Sequence, residues 1–266
     1  MSVTAPRRPR RIALATLCTT LALAAAACGP SDGDSRDTKG APAKSTKAKE
    51  GAFGGQSGPQ IANKAFKATK GATSVTVDFA ARTTDGNMKA YMSIDSKGDC
   101  KGTLSTGDTG TAELMRVGDD AYMRFDEAFL RSQNEGGSAE ETAAVLKMLK
   151  GRWVKSDASS PEDKEQLEFC ELKTFLGQFE EGFNLMRRGE ETTVNGQKVL
   201  TLTEKDGDTS YKVYVATEGE PYVLKVEQKG GEEPGTITFS AFNKPVGAKK
   251  PAAKDIVDLD EEGAAQ

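Results

Sequence analysis

The chain has 266 residues, of which 36% are hydrophobic, 29% charged and 6% aromatic, enough for a lean core with part of the chain outside it. Histidine is absent, which excludes Ser-His-Asp and Cys-His nucleophile systems and every His-ligated metal site. A formal net charge of −4 argues against a broad basic surface for nucleic acid.

Residues 1–27 read as a signal peptide. Arg7, Arg8, Arg10 and Arg11 form its basic start, and residues 12–27 carry no charge. Those sixteen residues fall short of the roughly 20 that a membrane-spanning helix needs. The stretch ends at Ala25-Ala26-Ala27-Cys28, with Leu23 just before it. Small residues directly ahead of a Cys resemble the lipobox of bacterial lipoproteins, in which the Cys receives a diacylglycerol and becomes the first residue after cleavage. The alternative is an ordinary Ala-x-Ala cleavage site, and Arg10-Arg11 leaves twin-arginine export open beside the general secretory route. Cleavage removes four arginines and no acids, taking the charge from −4 to −8. Attachment through the lipid on Cys28 then places the protein at the cell membrane, on its extracytoplasmic face.

Residues 29–58 are mostly Gly, Ser, Ala, Pro, Lys and Asp, with Phe53 their one large apolar residue. Together with Cys28 they are expected to form a lipidated, disordered tether over 28–58, spanning roughly 30 Å as a coil. A folded domain is expected over 59–260, with a flexible tail at 261–266. Pro59 opens a short helix that Gly71 ends. Alternation then puts Val75, Val77, Phe79 and Ala81 on one face of a strand. Asp85-Gly86 turns the chain, and Met88, Ala90, Met92 and Ile94 share a face on the way back. Further strands are predicted near 110–117 and 120–125. The capping signal Ser138-Ala139-Glu140-Glu141 starts a helix carrying Leu146 and Leu149, and Arg152–Lys155 reads as a short strand. Pro161 starts a second long helix, over 161–179, with Leu167, Cys170, Leu172, Phe175, Leu176 and Phe179 at roughly helical spacing. Three tight turns and a looser one follow between short strands, the clearest at Asn195-Gly196. Close spacing of this kind means an antiparallel meander of about ten strands, and the helices between them suggest a large curved sheet with helices on one face.

Cys100 and Cys170 are an even pair in an oxidising compartment, and a disulfide between them is the simplest reading. It would close a loop of 70 residues, worth about 4 kcal/mol in the chain-entropy model. The alternative is two separate buried thiols.

The order of these features carries a family likeness. Lipobox, tether, helix and paired strands lead to Gly118–Met123 and Gly151-Arg152-Trp153-Val154-Lys155. Then come Thr193–Gln197, Tyr222–Val226 and Phe239-Ser240-Ala241-Phe242-Asn243-Lys244-Pro245-Val246, and a tail with Pro251 and Ile256–Leu259. This resembles the actinobacterial LppX/LprG lipoproteins, which are similar in fold to the LolA/LolB lipoprotein carriers. The resemblance implies an α+β fold: an antiparallel half-barrel with α-helices covering its concave face. It also implies an apolar cavity that holds acylated lipid or glycolipid. On that reading the cavity is lined by Val75, Val77, Phe79, Met88, Met92 and Ile94 from the strands. Leu146, Leu149, Leu172, Phe175, Leu176 and Phe179 face them from the helices.

The expected function is therefore a lipid-binding or lipid-carrying lipoprotein, monomeric, with neither cofactor nor metal. The alternative is a non-catalytic envelope scaffold with a packed core that binds a protein partner. Glu180-Glu181, Glu190-Glu191 and Glu232-Glu233 do not make an enzyme, since neighbouring strand residues face opposite ways and paired acids favour solvated turns.

Overall fold

The alternation that starts at Val75 runs into a sheet of twelve strands. In the computed structural model, which describes residues 51–84, 86–177 and 185–258, the first half of the sheet comprises β1 (Ser74–Thr83), β2 (Gly86–Asp95), β3 (Cys100–Thr106), β4 (Thr111–Val117), β5 (Asp120–Phe125) and β6 (Trp153–Asp157). The second half is β7 (Arg187–Val194), β8 (Gln197–Asp206), β9 (Thr209–Ala216), β10 (Val223–Lys229) and β11 (Gly235–Ser240), with β12 (Ile256–Asp258) returning to the first. The spatial order is β12-β6-β5-β4-β3-β2-β1-β11-β10-β9-β8-β7. This is the expected open, curved, antiparallel sheet. One pairing departs from it: β12 lies parallel to β6, with Val257 beside Val154. A parallel neighbour needs a crossover, and residues 241–255 provide it. They touch β1 through Ser74 Oγ donating to Lys244 O, β3 through Lys101 Nζ donating to Gly247 O, and β5 through Lys250 on Asp120.

The turns follow from their chemistry. Asn195 and Gly196 both adopt positive φ, 49° and 79°, as a two-residue hairpin with right-handed strand twist requires. The strand that the sequence hides is β3. Its concave positions are Cys100, Gly102, Leu104 and Thr106, too mixed to read as alternation. It draws its stability from ladders on both sides. Gly102 is needed there, because a Cβ would lie 2.0 Å from Tyr91 O and 2.3 Å from Met92 Sδ.

Five helices accompany the sheet among the described residues: α1 (Gly58–Lys70), α2 (Glu127–Gln133), α3 (Ala139–Leu149), α4 (Pro161–Gln166) and α5 (Leu172–Gly177). α1 buries Ile61, Ala62 and Ala65. Its buried Thr69 donates to Ala65 O and accepts from Val223 N–H, each at 2.9 Å. The β10 bulge at Val223–Lys225 is thus stitched to the helix. Ser138 caps α3 with Glu141 reaching back to the Ser138 N–H at 2.7 Å, as its sequence signal requires. α2, which the sequence does not announce, is capped by Asp126, whose Oδ1 accepts from Phe129 N–H at 2.7 Å.

Two expectations change. The helix predicted over 161–179 is broken: α4 ends at Gln166, Glu168–Cys170 form one 3-10 turn, and Glu171 is extended before α5. In an unbroken helix, nine residues turn the chain by about 900°, so Leu167 and Leu176 would face opposite ways. The break lets both be buried, at 1% and 2% exposure. The fold also begins ahead of the expected end of the tether. Phe53 is buried in the main core, and the Arg188 guanidinium donates to Gly54 O. The apolar ring of Phe53 is the one part of that stretch with surface worth burying.

Candidate apolar site on the concave face

Directly paired residues of an antiparallel ladder project to the same side, so the registers define rows across the sheet. One row holds Val75, Ile94 and Cys100; the next holds Phe239, Val77, Met92, Gly102 and Leu114. Both belong to a continuous core with Ile61 and Ala65 of α1, Leu172 and Leu176 of α5, and Leu167. Cys100 and Cys170 are joined by a disulfide, with Cα atoms 5.5 Å apart and both residues fully buried. It fastens β3 to the 3-10 turn that precedes α5. This is the disulfide end of the concave face. Arg116, on the same row as Cys100, closes it with an ion pair to Glu171 at 2.6 Å.

Towards the hairpin turns the same face opens. The third row holds Ile237, Phe79, Ala90, Leu104, Ala112 and Phe125. Of these, Leu104 is 39% exposed and the others are half-buried. The fourth row continues through Gly235, Ala81 and Met88, again half-buried. Beside it, Phe129 of α2 stacks on Phe125 with ring centres 4.8 Å apart. The result is a terrace of apolar side chains across five or more neighbouring strands, sealed at one end and open at the other. Contiguous exposed apolar surface of this kind marks a binding region more often than isolated apolar residues do.

The expected lining residues therefore separate. Val75, Val77, Met92, Ile94, Leu172 and Leu176 come together, but as packed core, with Phe175 at its margin. Phe79 and Met88 lie on the open terrace. Leu146 and Leu149 are half-buried on α3, a helix with no fully buried residue, and lie outside that core cluster. Phe179 and Cys28 fall outside the described residues. Leu104 escaped the sequence reading because β3 did, and Ile237 and Ala112 because the register that aligns them with Phe79 is not written in any one segment.

The convex face combines a small apolar cluster of Val199, Ala216 and Leu224, with Tyr214 and Tyr222 packed against it, and polar side chains beside it. Tyr214 donates to Glu227 Oε2 at 3.1 Å, and Lys225 pairs with the other oxygen at 2.6 Å. Burial, with the bond to Glu227, pushes the Tyr214 phenol up to about 12. At the crossover, the hydrogen bond from Lys250 holds the Asp120 carboxyl below its ordinary value, although partial burial works against it. No group of three or more His, Cys, Asp or Glu that could hold a metal ion occurs among the described residues. None of the described helices is long and apolar enough to cross a membrane.

No protein-family model matches the chain, and no curated protein matches it. Among solved structures the chain is similar to lipoprotein LppX of Mycobacterium tuberculosis, at 14% identity and a TM-score of 0.45, over 72% of this chain and 97% of that one. It is similar to LprF from Mycobacterium bovis at 13% identity and a TM-score of 0.48, over 74% and 97%. It is also similar to a chain of the MucA/MucB complex of Pseudomonas aeruginosa, at 14% identity and a TM-score of 0.31, over 74% and 59%.

Proposed function

We propose that this protein is a lipid-anchored lipoprotein of the extracytoplasmic membrane face that binds the acyl chains of a lipid or glycolipid on its concave sheet, and that it does so without catalysis. The observation that carries the reading is the open terrace around Phe79, Leu104 and Ile237, apolar area left half-exposed beside a sealed core. Acyl chains gain about 0.8 kcal/mol per buried methylene, so a terrace of this kind supplies affinity without any polar contact. Met88 at its rim is flexible and polarizable and suits chains of variable shape. Anchoring through Cys28 follows from Ala25-Ala26-Ala27-Cys28.

The test is uptake of a fluorescent acyl lipid by the purified chain, together with mass spectrometry of lipids extracted from protein made in its own host. Saturable uptake and a co-purifying acyl lipid are expected. A protein that takes up no probe and carries no lipid overturns the reading. Cys28→Ala should release the protein from membranes, and a variant that stays in the detergent phase would contradict the anchor.

A second reading is a scaffold with a packed core that binds a protein partner. It is favoured by one observation: six of the expected cavity residues, Val75, Val77, Met92, Ile94, Leu172 and Leu176, are tightly buried in a single cluster. Absence of acyl uptake by a correctly folded protein would select it.

A further inference from the structure

Alternation sorts the charges of β8–β10 by face. Leu202, Val213 and Val226 belong to the core, so Thr203, Lys205, Lys212, Glu227 and Lys229 lie on the convex side. Arg187 of β7 pairs with Thr203 and so joins them. Across the strands, Thr203 pairs with Lys212 and Lys212 with Glu227, while Lys205 pairs with Ser210 and Ser210 with Lys229. Lys212 therefore has Lys205 and Lys229 as diagonal neighbours, and Arg187 stands diagonal to Lys205, each at the roughly 7–8 Å spacing of a ladder. These four cations are exposed and take part in none of the ion pairs formed among the described residues. The acid in the middle of their face, Glu227, is held by Lys225 and Tyr214. The four border one hollow of ≈ 790 Å³, with Thr203 and Ser210 between them, and Glu204 and Tyr211 of the opposite face reach its edge. Like charges set this close repel. Their gathering in a recess stands out in a chain whose net charge is −4.

We propose that this convex hollow is a second ligand site, one that holds a small anion bearing adjoining phosphate groups. The inference does not rest on the acyl-binding reading, because the terrace lies on the other face of the sheet. Arg187 carries a planar fork of donors that matches two phosphate oxygens at once, and the three lysines add point charges around it. Thr203 and Ser210 bring hydroxyls that donate to further oxygens. Several cations at ladder spacing call for a ligand with several negative charges; a single carboxylate would leave most of their repulsion in place. A hollow of this size fits a compact molecule. A flat bilayer surface would pass over it.

The experiment titrates the full-length chain with pyrophosphate by calorimetry, and with citrate, a carboxylate of similar charge at neutral pH. Pyrophosphate should bind once per chain, more tightly than citrate, and more weakly as salt is added. Arg187→Gln, Lys205→Gln and Lys212→Gln should each weaken it about fivefold. Their denaturation midpoints should stay near the wild type, since all three side chains are exposed. Lys198→Gln, which removes a lysine already paired with Glu218, should leave binding unchanged. No saturable binding of pyrophosphate overturns the inference, as does binding that the Arg187, Lys205 and Lys212 variants leave intact. Citrate binding as tight as that of pyrophosphate overturns the phosphate assignment. A second arm offers vesicles of phosphatidylglycerol and phosphatidylcholine to the Cys28→Ala chain, so that no lipid anchor inserts. Vesicle binding through Lys205 and Lys212, without binding of pyrophosphate, would make the patch a membrane contact and overturn the small-ligand site. Uptake of a fluorescent acyl probe should be the same with and without pyrophosphate, and competition between the two would overturn the placement on opposite faces. Absence of acyl uptake with pyrophosphate still bound would overturn only the acyl-binding reading.

Discussion

The two ends of the concave face are built from the same strands and the same alternation, yet they differ in what covers them. At the disulfide end, Val75, Val77, Met92 and Ile94 meet α1, α5 and the Cys100–Cys170 bond, and all are buried. A few residues further along the same two strands, Phe79, Ala81, Met88 and Ala90 are only half-buried. The difference teaches that burial here is set by the reach of the helices and not by the apolar pattern of the strands. The first zone supplies stability, and the second keeps apolar area available for something else.

That division is open to attack by mutation. The largest effect should come from removing the disulfide. Cys100→Ser with Cys170→Ser opens a loop spanning 70 residues and should cost about 4 kcal/mol in the chain-entropy model, read as a fall in denaturant midpoint. Thiols counted on the denatured, unreduced domain should show both cysteines blocked. If both react, the disulfide end lacks its fastening.

Ile94→Ala and Phe79→Ala divide the face more sharply. Ile94 is 1% exposed, so its truncation should cost about 2–5 kcal/mol and leave acyl uptake per folded molecule unchanged. Phe79→Ala should cost less in stability than Ile94→Ala and lower acyl uptake severalfold. Reversed effects would show that the sealed end is the binding end.

The methionines give a smaller contrast. Met92 is buried, and its sulfur lies over Gly102, so Met92→Trp should overpack the core and cost about 1–3 kcal/mol. Met88→Trp, on the terrace, should stay within about 0.5 kcal/mol of the wild type and compete with bound acyl chain. Equal thermal shifts for the two would blur the boundary between the zones.

The smallest effect is at the crossover. Lys250 and Lys155 both face Asp120, but their partial exposure limits Asp120→Asn to under about 1 kcal/mol at neutral pH. Because the folded carboxyl titrates below its ordinary value, its contribution is complete above about pH 4. It then fades as the pH falls through the lowered value. The Asn variant should therefore match the wild type at the acid limit, and a difference that grows towards acid would contradict the pairing.

Much of this architecture was legible in the sequence. Alternation located β1 and β2, and turn chemistry at Asn195-Gly196 and Asp206–Asp208 located the second half of the sheet. What stayed hidden had one cause in each case. β3 lacks alternation because Gly102 yields its volume to Met92. The break at Glu171 answers to two leucines that one helix could not bury together. Three-residue β12 exists through its neighbour β6 and has no pattern of its own. The site was half legible: alternation identifies the apolar face of Val75–Ala81, but not how far along it the helices extend. The expected lining thus mixed core residues such as Val75 with terrace residues such as Phe79.

The most direct test of the central claim is to photolabel the protein with a fatty acid that carries a diazirine near the end of its tail, and to map the labelled peptides by mass spectrometry. Labels are expected within Phe79–Ala90 and at Leu104 and Ile237, competed away by unlabelled fatty acid, with Val75 and Ile94 untouched. Labels confined to the convex face around Tyr214, or no competed label at a saturating concentration, would contradict it.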